Sequence, residues 1–218
     1  MSIQNMSTPI QLPQPRLDGH CSLEATLAKR CSVRDFRNEP MSLATLSQLA
    51  WAAQGVTRKE DAPQGWSWGE WQGGKRTAPS AGAMYPLELY VVVGKVETLE
   101  PGIFKYRPLP HELVHVSSGD KRGLMATRGP GQKWIEQAPC LLVVAGVYSR
   151  LEPRFAERAA RYVHFEVGHV VENICLQAVA LGLGTTVVGS FYDDTVRKIV
   201  GMPEHEQPLA IVPVGKAK

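Results

Sequence analysis

The chain has 218 residues, of which 44% are hydrophobic, enough for one sizeable core and a single domain. Its 24 basic and 21 acidic residues leave a formal charge of +3, too balanced to point to nucleic acid or an anionic membrane surface as a partner. The four cysteines (Cys21, Cys31, Cys140 and Cys175) form no CxxC pair and do not sit with histidines at metal-ligand spacing, so the expectation is reduced thiols in a cytoplasmic protein without a metal.

Residues 1–19 are polar and Pro/Gln-rich, with no apolar core of a signal peptide, and read as an N-terminal arm or tail able to pack on a partner subunit. The remainder, 20–218, reads as one domain. Residues 22–30 show helical spacing at Leu23 and Leu27. Residues 42–54 form a clearer helix, with Ser42 as N-cap, apolar residues at 43, 46, 49, 50 and 53, and Gly55 as its stop. Residues 58–78, polar and glycine-rich, read as a long loop holding Trp66, Trp68 and Trp71. Strands are expected at 87–93, in a hairpin over 103–116 that turns at Pro108 to Pro110, at 139–147 and at 208–214. One long helix is expected over 155–181, a strand or strand end at TTVVGSF, and a short helix at 193–200. The long helix is apolar over more than one face and must be covered on several sides, by the sheet or by a second subunit. No apolar run spans a bilayer. Helices and strands mix without βαβ alternation, which places the chain in the α+β or three-layer class.

Four constellations can carry chemistry. In Arg30-Cys31-Ser32-Val33-Arg34-Asp35-Phe36, two arginines flank a serine, which suits a phosphate or carboxylate; a solvated basic turn is the plain alternative. In Pro79-Ser80-Ala81-Gly82-Ala83-Met84-Tyr85-Pro86, small residues between prolines let backbone approach a flat ligand, or simply make a rigid turn. Val188-Gly189 can admit a ligand face, or be a bulge after the glycines at 182 and 184. Lys216 can reach a phosphate, or be a solvated terminus. GxGxxG, GxxxxGK[ST] and GxSxG motifs are absent. His164 and His169 are off the i, i+4 spacing of a helical zinc pair. For Glu166 and Glu172, hydrogen bonding, capping or a solvated edge is favoured over acid/base work.

Taken in order, RCSVRDF, LAWAAQGV, APSAGAMYPLELYVV, RYVHFEVGHVVENICLQAVALGLG, VVGSF and PVGK resemble the nitroreductase family of FMN enzymes, and most closely its SagB-type dehydrogenase branch. The resemblance implies a three-layer α+β fold, with a central mixed, mostly antiparallel sheet flanked by helices. It also implies a domain-intertwined homodimer with FMN at the interface. It assigns the ribityl phosphate to Arg30, Cys31 (by backbone), Ser32, Arg34 and Lys216. The flavin ring falls to Pro79, Ser80, Ala81 and Gly82 of the other subunit with Met84 nearby, and to Val188 and Gly189 at its other edge; Gln54 is assigned to the ribityl or the ring. No side chain need act as a catalyst, because the flavin carries the chemistry. Trp66, Trp68, Trp71 and Tyr85 are candidates for a small-molecule substrate, or the tryptophans pack on the domain's own surface.

The activity implied is hydride transfer from NAD(P)H, through flavin N5, to a nitroaromatic, quinone or other small acceptor. A second reading is an FMN-dependent dehydrogenase or oxidase of a peptide azoline or small heterocycle. A third is a non-catalytic flavin-binding protein. The peptide-oxidising members carry a Lys-Tyr pair ahead of the long helix. Arg154-Phe155 stands here instead and offers neither an amine nor a phenol base.

Overall fold

Alternation in Leu87–Val93 (β4) sets the layers of the molecule. Leu87, Leu89, Val91 and Val93 enter one buried cluster, and Tyr90 and Val92 enter another on the opposite face. The same division runs through Cys140–Gly146 (β7), whose Leu142 and Val144 face the first cluster and whose Leu141, Val143 and Ala145 face the second. A central strand dressed on both faces must be covered on both, which is why the domain has three layers. The structure is a computed structural model that describes residues 8–67 and 70–218.

Seven strands make the main sheet. They are Ile10–Gln11 (β1), β4, Gly102–Arg107 (β5), Glu112–Ser118 (β6), β7, Gly184–Thr185 (β8) and Gln207–Gly215 (β9). Their order is β1-β6-β5-β4-β7-β9-β8, and all neighbours run antiparallel. Ser32 adds a parallel bridge to Thr185 at the β8 edge. One face is covered by Leu43–Gln54 (α2) and Ala159–Ala180 (α5), through Leu46, Leu49, Ala53, Val163, Val170 and Ile174. The other is covered by Arg122–Arg128 (α3) and Asp193–Val200 (α6), through Met125, Ala126, Val196 and Val200. Each fully buried valine or leucine contributes roughly 1.5–3 kcal/mol. Leu23–Lys29 (α1) packs on α5. Among the described residues, no helix is long and apolar enough to cross a membrane.

The expected N-cap at Ser42 is present, and Ser22 caps α1 in the same way. Ser22 Oγ accepts from Ala25 N, and Ser42 Oγ accepts from Thr45 N at 3.1 Å. Replacing Ser42 by alanine is expected to cost about 1 kcal/mol, read as a lowered urea midpoint at unchanged m-value.

Several expectations are corrected. The loop expected over 58–78 has a paired base: Val56–Lys59 (β2) and Gly74–Arg76 (β3) form an antiparallel hairpin. The helix expected over 155–181 is α5, but it begins only at Ala159, after a 3₁₀ turn at 156–158 and a separate short helix. Glu152–Phe155 (α4) opens with a proline in its first turn and is cut off at Ala156, whose φ of 47° no helix can continue. Leu151, fully buried, and Phe155, edge-on to Tyr162 at 4.9 Å, fix α4 against the domain, so packing overrides a strongly helical sequence. The N-terminal arm, from residue 8 onward, lies along its own domain. Ile10 pairs with Leu113, and Leu12 N donates to His111 O at 3.1 Å. The Pro13 carbonyl accepts from the Ser47 hydroxyl at 2.5 Å. The helix α3 and a 3₁₀ turn at 133–137 stand where no element was expected.

Candidate active site

Two of the predicted constellations meet at the β8–β9 edge. The chain leaves α1 at Arg30 and runs beside the strands. Val33 N donates to Thr185 O at 3.0 Å, and Arg37 N donates to Lys216 O at 2.9 Å. Phe36 pairs with Ala217 and is buried as an anchor. Backbone pairing therefore fixes residues 32–37, with the exposed Ser32 and Arg34, against residues 185 and 216–217, with the exposed Lys216; the exposed Cys31 and Arg30 come directly before the paired stretch, and Arg30 N is bonded to Thr26 O at the end of α1. Two exposed guanidinium groups, an ammonium and a hydroxyl on a fixed backbone are a donor set that fits a phosphate. Lys216 Nζ is paired with Glu39 at 2.9 Å, so an anion arriving here competes with that carboxylate.

The turn 79–86 is strained and heavily braced. Gly82, Ala83 and Tyr85 have φ of 63°, 57° and 46°. For the two non-glycine residues this costs roughly 1–2 kcal/mol each. The bracing comes from two elements. Glu166 on α5 accepts from Ser80 Oγ at 3.0 Å and from Ala81 N at 2.8 Å, and Ser80 Oγ accepts in turn from Tyr85 N at 2.8 Å. Arg150 donates to the Tyr85 carbonyl at 2.6 Å and to Glu88 at 2.5 Å. Glu88 also pairs with Lys105, which pairs with Glu206, which accepts from the Tyr90 hydroxyl. Burial pushes the Glu166 carboxyl up to about 7, against the two hydrogen bonds that favour its charged form. A β-carbon on Gly82 would lie 2.5 Å from Arg154 Nη1, so glycine here serves both the backbone and a close-lying guanidinium.

The turn forms one wall of a cleft of about 660 Å³. Trp66 and Trp71 line it, edge to face at 4.9 Å, and Trp71 Nε1 donates to Glu60 O at 2.7 Å. The tryptophans thus pack on each other and the hairpin while facing the cleft. Trp68 lies outside the described residues. Tyr85 also lines the cleft; its hydroxyl oxygen accepts from Arg76 N at 3.2 Å. Arg76 itself escaped the sequence reading. Its guanidinium lies 4.4 Å above the Tyr85 ring, and its Nη1 donates to Gln54 Oε1 at 2.7 Å. Gln54, predicted for the cofactor, is buried at the end of α2 and is held by this bond.

The other predicted residues divide. Pro79, Ser80 and Gly82 line the cleft, and Ala81 gives its N–H to Glu166. Met84 does not reach the cleft; it is 1% exposed, within the core beneath the turn. Val188 also belongs to the core, bridged to Ile211, whereas Gly189 beside it is exposed with nothing within 4 Å of where a β-carbon would stand. Glu166 makes the hydrogen bonds expected of it, but to the turn rather than to a helix. Its place on the buried stripe 159-163-166-170-174-178 of α5 is the signal that singles it out.

Residues 27–216 match the model of the nitroreductase family. The chain belongs to the nitroreductase family. Proteins of this family are in general flavin-dependent oxidoreductases. Two relatives carry the name "putative nitroreductase". One, from Methanocaldococcus jannaschii, is 40% identical over 207 residues, covering 95% of this chain and 96% of the relative. The other, a crystal structure from Ralstonia eutropha, superposes with a TM-score of 0.79 at 29% identity, over 96% of this chain and 90% of that one. The Escherichia coli microcin synthetase McbBCD complex contains a chain of the same fold, with a TM-score of 0.72 at 19% identity over 99% of this chain and 79% of its own.

Proposed function

We propose that this nitroreductase-family chain is an FMN-dependent oxidoreductase that works as a homodimer and reduces small organic acceptors, nitroaromatics or quinones among them, at the expense of NADH or NADPH. The observation that carries the reading is the backbone pairing of residues 32–37 with Thr185, Lys216 and Ala217, which supports a phosphate site built from Ser32, Arg34 and Lys216 with Arg30 just before them. Arg30, Arg34 and Lys216 would hold the FMN phosphate by charge, and Ser32 by its hydroxyl. The open surface at Gly189 has room for a flat ring. When bound, FMN supplies two-electron transfer between donor and acceptor. The chain's own part is to hold the 79–86 turn rigid, through Glu166 and Arg150, and to present the cleft beside it. Arg154-Phe155, in place of an amine–phenol pair, speaks against the peptide-dehydrogenase reading.

Dimerisation is supported by the groove between α1, α2 and α5, lined by Leu23, Trp51 and Leu176, and by the exposure of Leu23 at 61% and Phe165 at 57%. A surface this apolar is typical of one that a second copy covers. The test is an anaerobic absorbance spectrum before and after NADPH, then NADH. Flavin bands that bleach are expected. Bands that persist would shift the reading to a dehydrogenase of another donor or to a non-catalytic flavin protein, and a colourless protein that FMN cannot reconstitute would end it.

A further inference from the structure

We propose that the cleft beside the 79–86 turn binds planar molecules carrying a carboxylate or similar anionic group, received by Arg76 while the ring lies against Trp66 and Trp71. Its role as the acceptor subsite rests on the flavoenzyme reading above; the binding itself does not.

Arg76 is the reason. Among the described residues its guanidinium is held by neutral acceptors, the carboxamide oxygens of Gln54 at 2.7 Å and Gln72 at 3.3 Å, and by the Tyr85 ring face. Nε is buried and has no hydrogen-bond partner among the described residues. No ion pair among the described residues includes Arg76, and residues 1–7, 68 and 69 contain no carboxylate. The carboxylates around it are engaged with other cations: Glu60 with Arg58 and Lys75, Glu88 with Lys105 and Arg150. Glu166 is bound to the turn. Burial also pulls the guanidinium down to about 10, still charged at neutral pH. A half-buried cation without an ion-pair partner is costly, a cost that an incoming anion offsets. The fork is already oriented by its two glutamines, so little entropy is lost when the anion arrives.

The rest of the cleft fits the rest of such a molecule. Its 660 Å³ lies within the range of small-molecule sites. The Trp66–Trp71 pair offers an aromatic wall for an apolar ring. Arg154, lying over Gly82, adds a second guanidinium to the lining and keeps the field positive despite Glu60. A neutral ring of the same shape would gain the stacking and forgo the charge-assisted bond.

The test is calorimetric titration of the purified holoprotein with benzoate and with benzamide, which match in shape and differ in charge. Benzoate is expected to bind at least about tenfold more tightly. Arg76→Gln is expected to remove that preference while leaving benzamide binding unchanged, and Arg76→Lys to restore part of it. Equal affinity of the wild-type protein for the two probes would overturn the proposal without recourse to any variant. So would an Arg76→Gln protein that sheds its flavin yet binds benzoate as before, because Arg76 would then belong to the cofactor. A colourless protein that still prefers benzoate through Arg76 would keep the anion site and remove only the flavoenzyme reading.

Discussion

Replacing Glu166 by glutamine should flatten the dependence of stability on pH. The carboxyl is raised from 4.5 to about 7 in the folded protein, so the folded state binds the proton more tightly than the unfolded chain. The stability linked to this group is therefore complete below about 4.5, falls as pH rises, and is lost above about 7, a difference on the order of 3 kcal/mol. Glutamine keeps an oxygen to accept from Ser80 Oγ and Ala81 N, cannot ionise, and should hold the turn at every pH. Urea midpoints at pH 5 and pH 8 should converge in the variant relative to the wild type. Parallel slopes in the two proteins would show that Glu166 titrates as an ordinary carboxylate. Glu166→Ala should do worse than either, because it leaves the Ser80 hydroxyl and the Ala81 N–H unpaired beneath a strained turn.

Arg150→Met should cost about 3 kcal/mol, since it removes two charge-assisted hydrogen bonds at once. One of them holds the carbonyl of Tyr85, a residue with φ of 46°. Freed from it, the turn should relax toward negative φ and take the Tyr85 ring, and with it Arg76, out of position. Amide hydrogen exchange is the sensitive measurement. Residues 79–86 should lose protection well beyond the change in global stability. Protection that falls evenly over the whole sheet would mean that Arg150 supports the fold at large and not the turn. Glu88 keeps Lys105 as a partner in the variant, which limits the charge left exposed in the interior.

The fold was largely legible where local signals and packing agree. The helix α2 carries its cap, its spacing and its stop in the sequence, and all three appear in the structure. The strands β4, β7 and β9 are short apolar runs bounded by Gly or Pro, and buried on both faces as such runs imply. The break at Ala156 was not legible, because nothing in Phe-Ala-Glu-Arg-Ala-Ala disfavours helix and the cause lies in how Leu151 and Phe155 are seated. The hairpin β2–β3 is mostly polar and lacks alternation. The helix α3 has no side-chain N-cap, carries Gly123 in its first turn and ends at Gly129. At the site, the meeting of Arg30–Phe36 with Lys216 could be expected only from the resemblance, since their juxtaposition is made by long-range backbone pairing. Arg76 was hidden inside a segment read as loop. What marks it, a buried Nε without a hydrogen-bond partner among the described residues, no sequence displays.

The strand order has a bearing on how the protein is made. β9 lies between β7 and β8, so the interior of the sheet is completed by a strand synthesised after all its neighbours. Until residues 207–215 leave the ribosome, β7 presents a full apolar edge with no neighbour on that side, and β8 has only its bridge to Ser32. The nascent chain therefore carries an unpaired strand between the synthesis of β7 and that of β9, and the native sheet cannot close before β9 is made. The edge strip at residues 32–37 is subject to the same delay, for its clasp is formed in part by the residues that follow β9.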